Sequence, residues 1–288
     1  MAKLSEAHQQ FVNHLKERNR SSATILAYGK DIEQLVSFLD EMKKAEAHEV
    51  RREDLEAFMA TLEKKGYTPK SISRKTNSTK TFFRFLKINE YVTDDPATLL
   101  AHPKFETPPP RILSKTEYRA LRDAARHDVR ISTIIEVLLQ TGIRIGELAN
   151  LHLDDLKLEG KEPTMRIRAN EGHAERTIPL NRSALEALQR YLGIRPSAAD
   201  DTLFITKTGR PLLIRNIRTA IDRYFRLAGI KDAKVNDLRH TFVAHHLMAG
   251  TSLVVVSKLA GHKRLATTEK YLEFIKNHSE KGVKLGEL

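Results

Sequence analysis

Three consecutive prolines interrupt the chain within residues 103–112, which read PKFETPPPRI. Proline fixes φ and lacks a backbone N–H, so this segment should form an extended, semi-rigid connector and not a helix or an inner strand. The chain has 288 residues, and a chain of this length suits about two domains with separate cores. We therefore predict an N-terminal domain over 1–103, a linker over 104–112 and a C-terminal domain over 113–288.

Hydrophobic periodicity predicts that the N-terminal domain is helical. Apolar residues recur with helical spacing after Ser22, and further helices are predicted at 54–64 and 69–88. The helix at 69–88 has one apolar side and one basic side, the basic side being formed by Lys80, Arg84 and Lys87. This side is either a surface that binds phosphates or a solvated charged face, and the helix alone does not decide between them.

The C-terminal domain combines helices with a small amount of β-structure. Ser114 and Glu117 form a capping box that opens its first helix. Periodicity then predicts helices at 131–140, 144–151 and 211–228, and a hairpin with strands at 165–170 and 174–180. The helix at 211–228 also has a basic side, which includes Arg215 and Arg218. The predicted fold class is mainly α with a small β-hairpin or sheet, that is, α+β.

Charge and composition limit the class of partner. The 49 Lys and Arg exceed the 37 Asp and Glu by 12, and this excess is spread along the chain, which favours a polyanion such as nucleic acid. No apolar run approaches the ~20 residues of a membrane span, and the first residues lack a signal-peptide core, so a cytoplasmic protein without a membrane partner is expected. The chain has no cysteine and no histidines at the spacing of metal ligands, so we expect no metal site and no cofactor.

Four polar residues of the C-terminal domain stand in ordered local frames. Arg144 lies in TGIRIGEL, Arg239 in NDLRHTF, and His262 and Tyr271 in LAGHKRLATTEKY. Two guanidiniums can hold the oxygens of a phosphodiester while a phenol attacks its phosphorus. Losing one guanidinium should then cost on the order of 10²-fold in rate. This set of residues therefore predicts DNA strand cleavage without a metal ion.

Each of these residues also has an ordinary structural explanation. Arg144 could be a surface cation, and Arg239 could form a salt bridge with Glu147 or Asp237. His262 could cap a helix C-terminus, and Tyr271 could anchor an amphipathic helix with its hydroxyl at the surface. The order and framing of the whole set favour the functional interpretation.

These frames resemble those of the tyrosine recombinase family, most closely its short Xer-like members and its phage or transposon integrases. The family frame T-G-x-R-x-x-E-L is matched by Thr141, Gly142, Arg144, Glu147 and Leu148. The pair Gly261-His262 ends nine residues before Tyr271, as in the family. The resemblance implies an N-terminal helical core-binding (SAM-like) domain and a catalytic domain that together form a clamp on duplex DNA.

The resemblance also implies an activity. Tyr271 would join the 3′ phosphate at the cut, and a 5′ hydroxyl from partner DNA would reseal the strand through a four-way junction, without ATP, metal or other cofactor. The partners would be double-stranded DNA and a homotetramer, or a heterotetramer with a second recombinase, on two duplexes. Dimer resolution and mobile-element integration both remain open. Glu147 would orient Arg144 or a histidine, or would simply pair with a surface cation.

The resemblance implies a docking role for the 17 residues after Tyr271, with Leu272, Phe274, Ile275 and Leu285 contacting a neighbouring protomer. A segment of this kind would couple cleavage to assembly, since it ties the helix of the nucleophile to the neighbour. The alternative is that the apolar residues at 272, 274 and 275 pack within their own domain.

Two family positions carry a different residue type. Asn236 stands where the family has a histidine; it could donate a hydrogen bond to phosphate or cap a helix that begins near Leu238. Glu171 stands where the family has the lysine that protonates the leaving 5′ oxygen. We expect a hairpin cation, Arg168 first and His173 second, or a shift of the hairpin on DNA binding, to replace this lysine.

These departures keep two further functions open. The chain could be a catalytically weak or partner-activated DNA-binding member of the fold, or an enzyme resembling type IB topoisomerases. For DNA binding, the candidate phosphate contacts are Lys80, Arg84, Lys87, Arg215 and Arg218.

Overall fold

The computed structural model describes residues 3–106, 108–170 and 172–279, without the side chains of Phe274 and of 276–279. The chain divides into two compact units, Met1–Thr107 and Pro108–Leu288, which are described separately below. Within the described residues, no helix is both long enough and apolar enough to cross a membrane.

The first unit is helical, as the sequence predicts. Its described residues form four α-helices, α1 (Leu4–Glu17), α2 (Ser22–Glu41), α3 (Arg52–Lys64) and α4 (Pro69–Ile88), with a short 3₁₀ turn at Ala47–Glu49. The hydroxyl of Ser21 caps α2 by accepting from the Thr24 N–H, and Pro69 occupies the first turn of α4, where its missing N–H has no cost.

The core of the first unit fixes which side of α4 faces solvent. Phe82, Leu86 and Ile72 on the predicted apolar side are all buried, and Phe82 packs edge-on against Phe11 of α1. A buried ion pair of 2.8 Å between Lys75 and Asp31 joins α4 to α2. These contacts set the rotation of α4 and leave its basic side turned away from the core.

The second unit contains eight helices and one small sheet among its described residues. The helices are α5 (Lys115–Ala125), α6 (Val129–Thr141), α7 (Ile145–Ala149), α8 (Arg182–Ile194), α9 (Ile214–Leu227), α10 (Val235–Met248), α11 (Leu253–Ala260) and α12 (Ala266–Ser279). The strands β1 (Leu156–Lys157), β2 (Thr164–Ile167) and β3 (Arg176–Pro179) form an antiparallel sheet in that order. The fold is therefore mainly α with a small antiparallel sheet, which confirms the predicted class.

The apolar helix α6 forms the centre of this unit. Ile134, Ile135 and Leu138 are buried, and the helix packs against both α8 and α10. The core around α6 therefore supports the chain segments that follow its C-terminus.

Ser114 and Glu117 form the predicted capping box at the start of α5. The Glu117 N–H donates to the Ser114 hydroxyl, and the Ser114 N–H donates to the Glu117 carboxylate.

The hairpin is shorter than the sequence predicts. Its strands were expected at 165–170 and 174–180, but β2 ends at Ile167 and β3 begins at Arg176. The residues between them turn back through an isolated pair of backbone hydrogen bonds between Asn170 and His173. The short strand β1 has too few residues to show a period and was not predicted.

Gly142 ends α6 in the left-handed conformation, with φ of 62°. A Cβ at this position would lie 2.2 Å from Cδ1 of Phe242 on α10. Gly229 also has positive φ, 71°, but a Cβ there would meet nothing within 4 Å. A substitution at Gly229 therefore tests backbone strain alone, whereas the same substitution at Gly142 adds steric overlap with Phe242.

We expect Gly142→Ala to destabilise the protein more than Gly229→Ala does. Both substitutions incur roughly 1–2 kcal/mol for the left-handed backbone. Gly142→Ala must also displace the buried Phe242 ring, at a further cost of about 1–3 kcal/mol. Urea denaturation of the two variants and the wild type measures the difference, and equal losses of stability would contradict the close packing of α6 against α10.

Candidate active site

Arg144 lies at the N-cap of α7, immediately after the turn that ends α6. Its backbone N–H donates to Oε2 of Glu147 over 2.8 Å, and its Nη1 donates to Oε1 of the same carboxylate over 2.8 Å. The second terminal nitrogen, Nη2, donates to the carbonyl of Gly261 over 2.6 Å. Arg144 is thus held by two partners in a half-buried position and is not a freely solvated surface cation.

Glu147 is shared with a second arginine. Nη1 and Nη2 of Arg176 donate to its two oxygens over 2.9 and 2.8 Å, a bidentate geometry. Nε of Arg176 donates to the Leu259 carbonyl of α11. Burial opposes ionisation of Glu147, but the hydrogen bonds from Arg176 and from the Arg144 backbone outweigh burial and lower its pKa to about 2.

Gly261 leaves space for the Arg176 side chain, which lies directly beside it. It ends α11 with φ of 68°, and a Cβ on it would lie 2.7 Å from Cζ of Arg176. The glycine that precedes His262 therefore has a steric reason to be there. Its missing side chain leaves room for the Arg176 guanidinium at the C-terminus of α11.

Arg239 is buried on α10, with 6% of its surface exposed. Nη1 donates to the Gly142 carbonyl over 2.6 Å. Within the described part of the chain, Arg239 forms no salt bridge with Glu147 or Asp237; the Asp237 carboxylate instead accepts from the Lys234 N–H. Burial, and next the nearby charge of Arg144, lower the pKa of Arg239 to about 10.

His262 and Tyr271 lie against each other. The two rings stack with 16° between their planes and 6.3 Å between their centroids. The His262 Nδ1 lies 2.7 Å from the hydroxyl oxygen of Thr268, a side chain on α12. Burial, and next the charges of Arg239 and Arg144, lower the pKa of His262 to about 4. The imidazole is therefore neutral at neutral pH.

Tyr271 lies on α12 with its side chain turned inward and only 4% exposed. Its hydroxyl lies 2.5 Å from Nδ1 of His240, so it is not a helix anchor with the hydroxyl at the surface. Burial raises the pKa of Tyr271, and the Arg239 charge opposes this shift. The phenol is thus protonated at neutral pH.

Asn236 does not cap α10, so that expectation is wrong. The helix begins at Val235, and the Lys234 N–H is satisfied by the Asp237 carboxylate over 2.8 Å. Asn236 lies in the first turn, and its amide Nδ2 is 2.7 Å from Nε2 of His240. It also lines a cleft of about 460 Å³ together with Arg218 and Arg239.

The structure does not bring Arg168 to this cluster. Its Nε donates to Asp155 over 2.8 Å and its Nη2 to Asp154 over 2.5 Å, at the base of the hairpin. Glu171, at the family lysine position, lies outside the described residues.

His173 lies at the hairpin turn, next to the cluster. Burial, and next the charges of Arg144 and Lys263, lower its pKa. It lines a cleft of about 450 Å³ that also contains Arg176, His262 and Lys263. A Cβ on the neighbouring Gly172 would lie 3.1 Å from Nζ of Lys263, so this lysine reaches the hairpin turn from the α11–α12 side.

The candidate phosphate contacts are mostly at the surface. Arg84 and Lys87 of α4, and Arg215 and Arg218 of α9, are exposed. Lys80 is half-buried and donates to the Thr98 carbonyl over 3.1 Å. Each set lies on one face of its helix, as the periodicity predicts.

The segment proposed to dock on a neighbour is only partly described. Leu272 of α12 is 38% exposed. Ile275 is half-buried, while the Phe274 side chain and Leu285 lie outside what the structure describes. Across the described ranges, no three His, Asp or Glu side chains are grouped so that they could hold a metal ion.

The sequence patterns do not single out two residues of the cluster. Arg176 lies within the predicted second strand of the hairpin, and His240 lies within NDLRHTF next to Arg239. Both reach their partners through contacts distant in sequence, 29 residues for Arg176 with Glu147 and 31 for His240 with Tyr271. Spacing alone gives no signal for such pairs.

Comparison with protein families identifies two matching regions. Residues 111–278 match the phage integrase family, and residues 8–90 match the phage integrase N-terminal SAM-like domain. Tyrosine recombinase XerC of Roseiflexus castenholzii is 31% identical to this chain, over 93% of this chain and 88% of its own length. Tyrosine recombinase XerC of Thermodesulfovibrio yellowstonii is 32% identical, over 91% and 89%.

Solved structures share the fold. XerH site-specific recombinase bound to palindromic difH substrate superposes with a TM-score of 0.78 at 19% identity, over 98% of this chain and 84% of that one. The Tn1549 transposon integrase in complex with transposon right end DNA gives 0.78 at 19%, over 97% and 99%. Family match and sequence identity agree, and the chain belongs to the phage integrase family, the tyrosine-type site-specific recombinases.

Proposed function

We propose that this chain cuts and rejoins double-stranded DNA at a specific site, with Tyr271 as the nucleophile. The observation that carries the proposal is the convergence of Arg144, Arg239 and His262 around the buried ring of Tyr271. Attack of the phenol on a backbone phosphate gives a 3′-phosphotyrosine and releases a 5′ hydroxyl. DNA bound in the solved recombinase and integrase complexes supports duplex DNA as the partner.

The charge of the site suits a phosphoryl group. Arg144 and Arg176 both donate to the Glu147 carboxylate, and the buried Arg239 interacts electrostatically with all three of these groups. Burial, and next the charges of Arg239 and Arg144, lower the pKa of His262 to about 4. A pentavalent phosphorane carries additional negative charge on its equatorial oxygens, so it would be held more strongly than the ground state.

Each residue then has a distinct role in the proposal. Arg144 and Arg239 bind the non-bridging oxygens through their forked donors. His262 has Nδ1 engaged with Thr268, which leaves Nε2 to donate to the phosphoryl group. Asn236, in the cleft beside Arg239, can donate a further hydrogen bond once phosphate enters.

Glu147 is a positioning residue in this scheme. It holds the Arg144 backbone and guanidinium from one side and receives Arg176 from the other. A fixed guanidinium needs little reorganisation when phosphate binds. Glu147 thereby converts two flexible cations into an ordered anion-binding surface.

Strand exchange follows from the ester intermediate. The phosphotyrosine keeps the energy of the broken phosphodiester, so a 5′ hydroxyl from a partner duplex can reseal the strand without ATP. Two such rounds in a homotetramer, or a heterotetramer with a second recombinase, would pass through a four-way junction. The exposed Leu272, immediately after the nucleophile, supports docking of this segment on a neighbouring protomer.

Phosphate contacts would come from both units of the chain. Arg84, Lys87, Arg215 and Arg218 are exposed on helix faces opposite to buried apolar residues. Lys80 would first have to release the Thr98 carbonyl. Contacts of this kind position the duplex and carry no sequence information directly.

The hairpin supplies the acid for the leaving 5′ oxygen in this proposal. His173 is favoured over Arg168, since it shares a cleft with His262 whereas Arg168 is paired with two aspartates. Its pKa is lowered mainly by burial and by nearby cations. A DNA phosphate placed among those cations would counteract their effect and favour the protonated imidazole.

We expect wild-type protein to form a denaturant-resistant adduct with DNA that Tyr271→Phe abolishes. Arg144→Ala and Arg239→Ala should each lower the rate of adduct formation by on the order of 10²-fold or more, because each removes a donor to the transition state. Sequencing the DNA ends bound to trapped protein gives the target site, and a nicked duplex of that sequence gives the rate.

Arg182→Ala is the control, since the Arg182 side chain is 90% exposed and pairs only with Glu186 among the described side chains. Binding without an adduct would reduce the chain to a DNA-binding member of the fold. Relaxation of supercoils without site preference or junction resolution would favour topoisomerase activity.

We expect His173→Ala to slow cleavage of ordinary DNA but not of DNA whose scissile 5′ bridging oxygen is sulfur. A thiolate is a far better leaving group than an alkoxide and needs no proton, so loss of the acid is masked. Arg168→Ala, measured on both substrates, tests the other hairpin cation. If neither variant changes the rate with oxygen, the hairpin does not provide the acid.

We expect Glu147→Gln to lose stability at neutral pH but not at low pH. The Glu147 pKa is lowered from 4.5 to about 2, so its contribution is complete above 4.5 and is lost as pH falls towards 2. A shift of this size corresponds to on the order of 3 kcal/mol. Urea denaturation from pH 7 to pH 3 should show the wild-type advantage shrinking over this window. Glu186→Gln, at a pair with a 53% exposed carboxylate, should behave like wild type.

A further inference from the structure

His240 connects the nucleophile to the residue that replaces the family histidine. On one side, its Nδ1 lies 2.5 Å from the Tyr271 hydroxyl. On the other, its Nε2 lies 2.7 Å from the Asn236 side-chain amide. His240 follows Arg239 directly on α10 and lies one helical turn after Asn236. The three side chains form a continuous chain of hydrogen bonds that ends at the attacking oxygen.

The protonation states of the partners determine the direction of these hydrogen bonds. The phenol keeps its proton, since burial raises the Tyr271 pKa, so it donates to Nδ1 when Nδ1 carries a lone pair. Burial, more than any neighbour, lowers the pKa of His240, so the imidazole is neutral and has that lone pair. Its proton then resides on Nε2 and needs an acceptor. A 180° turn of the Asn236 amide, which exchanges Nδ2 and Oδ1, supplies one.

The charged and titratable groups around His240 come from several elements. Asp237 and Arg239, on α10 itself, act on its charge in opposite directions. Tyr271 faces it from α12, and His262 lies close enough to be influenced by its charge. Of these groups, only His240 has a described hydrogen bond to the Tyr271 hydroxyl. His262 instead places Nδ1 against Thr268 and its ring against the face of the phenol.

We propose that His240 is the proton acceptor for Tyr271, and that Asn236 is a positioning residue that sets its tautomer. The inference rests on the proposed function. In the cleavage step the Tyr271 oxygen forms a bond to phosphorus while its proton moves to Nδ1 of His240. The bond from phosphorus to the 5′ oxygen breaks, and that oxygen takes a proton from the separate acid. In resealing, the imidazolium of His240 returns its proton to the departing phenolate.

This arrangement gives a chemical role to Asn236, which stands where the family has a histidine. Asn236 cannot titrate, but it can accept from Nε2 and so keep Nδ1 unprotonated towards the phenol. The Asn236 amide acts on the His240 imidazole in the same way as a carboxylate or amide that holds a catalytic histidine in one tautomer. A titratable imidazole is thus retained at the site, one turn further along α10.

The test uses the full-length protein and a nicked target duplex with sulfur at the scissile 5′ bridging position, which makes cleavage independent of the leaving-group acid. We expect His240→Gln to lower the single-turnover rate of adduct formation at pH 7 by roughly 10²–10⁴-fold. Without an acceptor the phenol must ionise beforehand, so the variant's rate should rise about tenfold per pH unit over the whole range below the pKa of the phenol, which burial raises. His245→Gln, an exposed histidine of the same helix, is the matched control.

A second variant separates tautomer control from simple packing. Asn236→Asp keeps an acceptor oxygen and adds a charge, so it should raise the His240 pKa and move the acid limb of the wild-type profile to higher pH. In the DNA-free protein, ¹⁵N NMR of histidine, assigned by comparison with His240→Gln, should show His240 protonated on Nε2.

The following outcomes would overturn the proposal: an unchanged rate in His240→Gln, a lower rate with an unchanged pH profile, an acid limb that Asn236→Asp does not move, or an Nδ1-protonated His240. A wild-type protein that forms no adduct would instead contradict the proposed function. The NMR result would still report on the tautomer in that case.

Discussion

The carboxylate of Glu147 is the interaction on which the rest of the site depends. It is 11% exposed and receives donors from the Arg144 backbone, the Arg144 guanidinium and the Arg176 guanidinium. Through these two arginines it joins α7 to β3 and to the carbonyls of Leu259 and Gly261. A buried charge is stable only when it is paired and hydrogen-bonded, and breaking such a pair costs about 3–5 kcal/mol. Glu147 therefore couples the folding of this region to the positions of Arg144 and Arg176.

The same carboxylate leaves the site with a surplus of positive charge. Glu147 alone does not neutralise the guanidiniums of Arg144, Arg176 and Arg239. Burial, and next the charge of Arg144, lower the pKa of Arg239 to about 10, while burial, and next the charges of Arg239 and Arg144, lower that of His262 to about 4. Groups with perturbed pKa values that cluster in a cleft are typical of functional sites. A phosphate would relieve the repulsion at both residues, because it would supply negative charge. The proposed affinity of the site for a phosphoryl group thus originates in the way the fold brings these arginines together.

Local patterns in the sequence predicted what depends on neighbours within one or two helical turns. The two faces of α4, the capping box at Ser114 and the position of Arg144 at a helix start all follow from periodicity and capping preferences. Contacts between distant segments could not be predicted in this way, as Arg176 with Glu147 and His240 with Tyr271 show. The N-cap role expected for Asn236 was wrong for a related reason. Asp237, three residues after Lys234, satisfies the free N–H first, so the amide of Asn236 is left to interact with a side chain.

The departures from the family pattern are best understood by separating charge from proton transfer. The guanidiniums stabilise negative charge and need no titration, so they can be retained while other positions vary. Proton transfer requires only that a group of suitable pKa lie within hydrogen-bond reach of the atom concerned. For Tyr271, the proposed nucleophile, that condition is met by the His240 imidazole, whose Nδ1 lies 2.5 Å from the phenol oxygen. For the leaving oxygen the cleft at the hairpin turn offers His173, with Lys263 reaching the same turn from the other side. Under the proposed roles, this site therefore places its proton-transfer residues at positions neighbouring those of the family pattern, while Arg144, Arg239 and Glu147 stay in place.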